Sequence, residues 1–107
     1  MRKLWEILVP TIRPDGRAIR TRFHRVWDDK VRTISGGLTV LQPARGQWVS
    51  PDGELFTERM IPVRLLATDE EIRQIIQMTL TYYDQRAVLC YVISSEVIMT
   101  YREPKKE

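Results

Sequence analysis

A four-residue turn, Ser50-Pro51-Asp52-Gly53, constrains the fold of this chain more than any other feature of its sequence. Proline is preset for the second position of a tight turn, and glycine readily takes the left-handed conformation that closes it. Apolar-rich runs flank the turn, with Gln47-Trp48-Val49 before it and Glu54-Leu55-Phe56 after it. Two such runs joined by a turn predict a β-hairpin and therefore an antiparallel sheet.

Two amphipathic segments predict helices. Between residues 21 and 34, the side chains Phe23, Trp27, Val31 and Ile34 recur at helical spacing, and Gly36-Gly37 then ends the segment. Thr68 and Glu71 form a capping-box pattern at the start of the second helix, which is predicted to run to about Asp84. The face of this second helix that is predicted to be apolar carries Ile72, Ile75, Ile76, Leu80 and Tyr83.

The remaining periodic segments predict four strands. They cover residues 3–9, 38–41 with an irregular continuation through Pro43 to Val49, 54–67 and 87–93, and residues 97–101 either extend the last strand or form a fifth. The order strand–helix–strand–strand–helix–strand predicts an α+β, ferredoxin-like βαββαβ sandwich. Its antiparallel sheet has both helices on one face and the first strand between the third and fourth.

Pro62 falls in an interior strand, where it predicts a bulge or kink because proline cannot donate to the ladder.

The length of 107 residues predicts one domain over residues 1–107, with a charged tail at 102–107. No apolar run reaches membrane-spanning length, and Glu6 interrupts any signal-peptide core. These observations predict a cytoplasmic protein that does not interact with membranes.

The charge is unevenly distributed along the chain. Residues 1–50 carry a balance of +6 and the remainder −3, within an overall net charge of +3. This asymmetry favours an anionic partner. The predicted anion-binding residues are the arginines in the loop and first turn before the first helix: Arg13, Arg17, Arg20 and Arg22. On the first helix itself, Arg25–Asp29 and Asp28–Arg32 are expected to neutralise each other at i,i+4 spacing.

Five short signals combine into a family resemblance: Gly37-Leu38-Thr39-Val40, Gly46-Gln47-Trp48, Gly53-Glu54-Leu55, Glu58 and Gln85-Arg86-Ala87-Val88. Over residues 36–92 the chain resembles a family of small uncharacterised bacterial proteins that are often lipoproteins. The chain departs from that family by its arginine-rich first loop and by the absence of a lipoprotein signal. The resemblance implies a ferredoxin-like fold and carries no activity and no catalytic residues.

Few residues indicate catalysis. His24, with Asp28 one helical turn away, is a candidate general base, and the competing interpretation is a half-buried surface histidine. Cys90 lies in an apolar run and is expected to be a buried, unreactive thiol. One histidine and one cysteine far apart predict no metal site, and no cofactor is expected.

The sheet face opposite the helices is predicted to be unusually apolar. The side chains expected there are Leu4, Glu6, Leu8, Met60, Arg64, Leu66 and Tyr91. An exposed apolar face of this size indicates a partner surface, and the simplest partner is a second copy. The alternative is that the C-terminal strand or tail covers the face within one chain.

The sequence therefore predicts a self-associating binding or regulatory module, with an anionic or small ligand at the basic loop or between subunits. Two other functions stay open. One is a nucleic-acid-binding protein that uses the four arginines of the loop. The other is a small cofactor-free enzyme with a cavity between packed sheets, lined by His24, Glu6 or Arg64.

Overall fold

A computed structural model describes residues 1–105 of the chain. The elements are β1 (Lys3–Pro10), α1 (Thr21–Ser35), β2 (Thr39–Val40), β3 (Ala44–Val49), β4 (Leu55–Ala67), α2 (Asp69–Tyr82) and β5 (Cys90–Ser94). They form an α+β sandwich in which the ferredoxin-like order predicted from the sequence is confirmed. Residues 106–107 of the predicted charged tail lie outside the described part of the chain.

The five strands form one antiparallel sheet in the order β2-β4-β1-β5, and β3 also pairs with β4. The central ladder joins β1 to β4 from Lys3↔Ala67 to Pro10↔Met60 without a register shift. On the other side of β1, β5 pairs through residues 90–94, with one irregularity near Leu4. The first strand thus lies between the third and fourth predicted strands, as expected, although the last strand begins at Cys90 and not at Ala87.

The bulge or kink predicted at Pro62 is absent from the ladder between β4 and β1. Its carbonyl oxygen accepts a hydrogen bond of 2.9 Å from the Leu41 N–H, so the backbone groups of Pro62 point away from β1. The missing N–H therefore falls opposite the break between β2 and β3. There the register with β4 changes by one residue between Val40↔Val63 and Ala44↔Met60. The irregularity therefore lies between β2 and β3, and the pairing of β4 with β1 keeps a single register.

Both helices cover one face of the sheet. The core between the layers contains Ile7, Val9, Val63 and Leu65 from the strands, with Trp27, Val31, Ile72 and Ile75 from the helices. The Trp27 indole N–H donates a buried hydrogen bond of 2.9 Å to the Thr79 hydroxyl oxygen, which joins the two helices. Phe23 stacks on Tyr82 with ring centroids 4.2 Å apart, and the Tyr82 hydroxyl donates to the Phe23 carbonyl.

The predicted start of α2 and the predicted end of α1 are confirmed, whereas α2 ends at Tyr82 and not at Asp84. Thr68 and Glu71 make both hydrogen bonds of a capping box at the start of α2. Gly36 ends α1 in the left-handed conformation with φ of 92°. The predicted ion pairs along α1 are wrong in detail, because Arg32 pairs with Asp29 at i,i+3 spacing and not with Asp28. Asp28 is instead half-buried beside His24.

The β3–β4 hairpin extends beyond the two layers. Gly53 closes its turn with φ of 88° and donates to the Ser50 carbonyl, as the turn sequence predicted. Apart from Gly46, the residues from Arg45 to Arg59 that form its two strands are exposed. The Cα radius of gyration is 16.1 Å, whereas a compact chain of this length has a radius of about 13 Å. The molecule is therefore elongated, and this hairpin contributes two strands that no second layer covers.

The hydrogen bond between Trp27 and Thr79 gives a test of helix packing. Thr79→Val keeps the shape of the side chain but leaves the buried indole N–H without its acceptor, which costs about 1–3 kcal/mol. Thr79→Ser keeps the hydroxyl and removes one methyl group, which costs about 0.8 kcal/mol. Urea unfolding should therefore rank Thr79→Val as the less stable variant. The reverse order would show that this hydrogen bond does not join the helices.

Candidate functional site

The open face of the sheet, defined as the face opposite the helices, carries a polar cluster at its centre. The Arg64 Nε donates to the Glu6 carboxylate at 3.0 Å, and the Tyr91 hydroxyl donates to its other oxygen. The three residues come from neighbouring strands, because Glu6 is directly opposite both Arg64 in β4 and Tyr91 in β5. Glu6 is only 7 % exposed although nothing from the helix layer reaches it. The sequence placed all three residues on this face.

Two opposing effects act on the Glu6 carboxyl group. Burial raises its pKa, but the hydrogen bonds from Tyr91 and Arg64, together with the Arg64 charge, outweigh burial and lower the pKa below its ordinary value of 4.5. The hydrogen bond to Glu6 also raises the pKa of Tyr91, because the phenol must keep its proton to donate it, and burial and the Glu6 charge act in the same direction. At neutral pH the cluster is therefore an ionised carboxylate held by two donors.

The apolar residues predicted for this face surround the polar cluster. Leu4, Leu8, Met60 and Leu66 are half-buried and lie on the same face as Glu6 and Arg64, because they occupy alternate positions of the β1–β4 ladder. All seven residues predicted for a partner surface thus share one face. Their role as an oligomer contact stays a prediction.

The C-terminal segment approaches one end of the open face without burying it. Val97, Met99 and Tyr101 line a groove of about 620 Å³ together with Leu4, Arg64 and Leu66. Residues 96–105 form no strand, so the predicted strand at 97–101 is absent from the described part of the chain. Tyr101 is 83 % exposed and Ile98 is 92 % exposed. The C-terminal segment, which was the alternative cover for the open face, therefore covers that face only in part and packs loosely on it.

A larger groove of about 1060 Å³ lies at the opposite end of the sheet, where the hairpin leaves the body of the protein. One wall, the hairpin wall, is formed by residues 46–48 and 57–60. The other, the loop wall, is formed by residues 11–14 and 84–89. Three arginines from different elements line the groove, namely Arg13, Arg59 and Arg86, as do Glu58 and the Trp48 indole. The sequence singled out Arg13 and Trp48 but did not predict that these segments converge.

The four arginines predicted to bind an anion have different surroundings. Arg13 packs over the Phe23 ring at 4.6 Å, and the Arg17 Nε lies 3.8 Å from the Asp15 carboxylate. Arg20 and Arg22 are exposed at the start of α1, where no acidic side chain occupies the first turn. Of the four, Arg13 alone lines the large groove. Arg17 thus has an acidic neighbour and Arg13 an aromatic one, and anion binding by these arginines stays a prediction.

His24 belongs to the helix layer. Its Nδ1 lies 2.6 Å from the Tyr83 hydroxyl oxygen in a shared hydrogen bond. Burial lowers the pKa of His24, while the Asp28 carboxylate raises it, and the net direction is downward. Glu6 and Arg64 lie on the other side of the sheet, so the three polar groups suggested for an enzymatic cavity do not converge. The half-buried histidine, which was the alternative interpretation, is what the structure contains.

Other candidate reactive groups are unremarkable. Burial raises the pKa of the Cys90 thiol to about 11, so it stays protonated at neutral pH. Within residues 1–105, no group of three or more His, Cys, Asp or Glu side chains is arranged to hold a metal ion. In the same residues, no helix has the length and apolar character that crossing a membrane requires.

Comparisons with known proteins identify the fold. No protein-family model matches the sequence, and no curated protein sequence matches it either. Among solved structures, the chain is similar to the divalent cation tolerance protein CutA1 from Thermus thermophilus, with a TM-score of 0.69 and 9 % identity over 92 % of this chain and 88 % of that one. The chain is also similar to the periplasmic divalent cation tolerance protein CutA from Archaeoglobus fulgidus. The TM-score is 0.68 and the identity is 8 %, again over 92 % of this chain and 88 % of that one.

A third neighbour is a lyase. A phage SAM lyase solved in complex with S-methyl-5′-thioadenosine gives a TM-score of 0.56 and 16 % identity over 92 % of this chain and 93 % of that chain. Identities this low establish a shared fold and leave function open. The resemblance to lipoproteins and the cytoplasmic location stay predictions, because the comparisons bear only on the fold.

The cluster at the centre of the open face predicts a specific response to acid. Because folding lowers the pKa of Glu6, the ionised carboxylate stabilises the folded state. This stabilisation is fully present above the unfolded-state pKa of about 4.5, and it is lost as the pH falls through the folded-state pKa. Tyr91→Phe removes one hydrogen bond and raises the folded-state pKa. The midpoint of acid unfolding, followed by circular dichroism, should move to higher pH. The exposed Tyr101→Phe is the matched control, and equal midpoints for the two variants would contradict the assignment.

Proposed function

We propose that this protein is a small binding or regulatory module that self-associates through the open face of its sheet. The observation that carries the proposal is the set of seven residues from three strands that share this face, four of which surround the Glu6–Arg64–Tyr91 cluster. Leu4, Leu8 and Leu66 are half-buried on this face, and the C-terminal segment approaches only one end of it. Exposed apolar faces mark contacts between proteins, because burial of the apolar side chains supplies affinity, and complementary charges fix the register of such a contact.

The hairpin supports the same proposal. Trp48 and Phe56 are directly opposite each other in the β3–β4 ladder, and Trp48 is 42 % exposed. On the reverse side of the same ladder, Val49 and Leu55 are also exposed. A two-stranded ribbon with both faces in water is marginal in isolation. A second copy would supply the missing layer, and symmetric self-association is the commonest form of protein assembly.

The molar mass in solution tests self-association. Light scattering behind a sizing column should give a mass above the 12.6 kDa of one chain. Leu8→Glu places a charge beside Glu6 in the open face and should lower the mass to that of one chain. Val26→Glu, an exposed apolar residue on α1, is the matched control and should leave the mass unchanged. A single-chain mass for the unaltered protein would refute the proposal.

Binding of a small anionic or nucleoside ligand in the large groove is the second candidate function. The observation that favours it is the convergence of Arg13, Arg59 and Arg86 with the Trp48 indole around about 1060 Å³, a volume suited to a small molecule. Guanidinium groups bind phosphate and carboxylate through paired donors, and an indole stacks on planar rings. The phage SAM lyase of the same fold was solved with a thioether nucleoside, which makes a nucleoside a suitable probe.

Calorimetric titration with two probes tests this second function. Adenosine 5′-monophosphate should bind more tightly than the uncharged S-methyl-5′-thioadenosine if the arginines select an anion. Arg86→Gln should weaken the nucleotide about tenfold, which is the loss expected for one charge-assisted contact. Arg73→Gln, an exposed arginine on α2, is the control. Absence of heat with both probes would exclude adenine nucleosides and nucleotides as ligands.

A further inference from the structure

The chain turns across the end of the sheet directly after β5. The Ser94 hydroxyl donates a hydrogen bond of 2.8 Å to the Glu96 carbonyl oxygen and accepts one of 3.1 Å from the Glu96 N–H. Ser94 is opposite Leu4 at the start of β1. The residues that follow line the smaller groove together with Leu4, Arg64 and Leu66. The segment after the turn therefore lies across the ends of the two central strands, β1 and β4.

Only alternate residues of this segment contact the groove. Val97, Met99 and Tyr101 line it, whereas Ile98 and Thr100 do not. This alternation is that of an extended chain that turns one side toward the sheet. The exposed fractions agree, since Val97 is 38 % exposed and Ile98 is 92 % exposed. We call the residues Val97–Tyr101 the strap.

The strap is held by side chains alone. Within the described chain, no backbone hydrogen bond joins residues 97–101 to another segment. Met99 stays 62 % exposed although it lines the groove. Ordering an extended segment costs conformational entropy, and side chains that are only partly buried offset this cost narrowly. The strap is therefore expected to detach and rebind while the sheet stays folded.

The strap and a second copy of the chain require the same residues. Leu4, Arg64 and Leu66 belong to the seven residues of the open face through which self-association is proposed above. Arg64 also donates to the Glu6 carboxylate at the centre of that face. A second copy cannot pack on this end of the face while the strap lies there. Because the strap is tethered to β5, its effective concentration at the groove is of the order of millimolar, so a weak contact within one chain competes with a contact between chains.

We propose that the strap is an autoinhibitory cover that limits self-association through the open face. In its closed position it occupies the end of the face formed by Leu4 and Leu66, and a second copy displaces it. The inference rests on the proposed self-association and adds its regulation. A strap that is closed in about nine molecules of ten raises the apparent dissociation constant of the assembly about tenfold, because only the open fraction associates.

A chain that ends at Glu96 tests the competition by analytical sedimentation. Removing residues 97–107 takes away no residue of the helices and strands, and the dissociation constant should fall about tenfold. An unchanged or higher dissociation constant would overturn the strap while self-association of the full-length chain stands. Assembly of the shortened chain alone would support the strap and refute self-association of the intact protein. Single-chain masses for both would refute both proposals.

Paired substitutions separate the contact from the mere presence of the segment. Val97→Ser with Met99→Ser removes apolar groups from the side that faces the groove and should lower the dissociation constant. Ile98→Ser with Thr100→Ser alters the same number of residues on the opposite side and is the matched control, which should leave the dissociation constant unchanged. Equal effects of the two double variants would contradict the proposal.

Hydroxyl-radical footprinting detects the strap independently of assembly. The full-length and shortened proteins are compared at a dilution where each has the mass of one chain. Oxidation of Leu66 should be greater in the shortened chain, whereas Leu8, on the same face but outside the strap groove, should be oxidised equally in both. Equal oxidation of Leu66 in the two proteins would show that the strap does not cover the face and would overturn the proposal.

Discussion

The pairing of β1 with β4 is the contact on which the rest of the structure depends. Its uninterrupted ladder from Lys3↔Ala67 to Pro10↔Met60 fixes which side chains face the helices and which form the open face. A shift of one residue would exchange these two sets, because side chains alternate along a strand. Ile7 and Val63 would then leave the core, and Glu6 would enter it. The low exposure of Glu6 is tolerable only because Arg64 and Tyr91 lie opposite it in this register.

The two faces of the sheet meet different physical requirements. The helix side is closed by large apolar side chains and by the buried hydrogen bond between Trp27 and Thr79. The open side carries the ionised Glu6 carboxylate, which is paired with Arg64 and Tyr91, among half-buried leucines. A charge of this kind adds little stability by itself, but it penalises any packing that removes its partners. The open face therefore carries a charge pair that depends on strand register, whereas the helix face supplies the stability of the chain.

The similarity to CutA structures and to a phage SAM lyase shows that proteins with very different descriptions share this arrangement of strands and helices. The fold alone consequently does not show which function this chain has. What distinguishes this chain is local: the three arginines around the large groove and the apolar segment after β5. Function has to be established at these positions, because a common fold accommodates many unrelated sites.

The sequence by itself determined the elements whose signals are local. The Ser50–Gly53 turn, the Thr68–Glu71 capping box and the apolar stripes of both helices depend on residues within one or two turns of one another, and the structure contains all of them. Alternation along the strands also identified the open face. Only the tertiary structure decided how Pro62 is accommodated, that Tyr91 completes the Glu6 cluster, and that Arg13 meets Arg59 and Arg86. These features join residues tens of positions apart, and their geometry is set by strand register and chain packing, which local patterns do not encode.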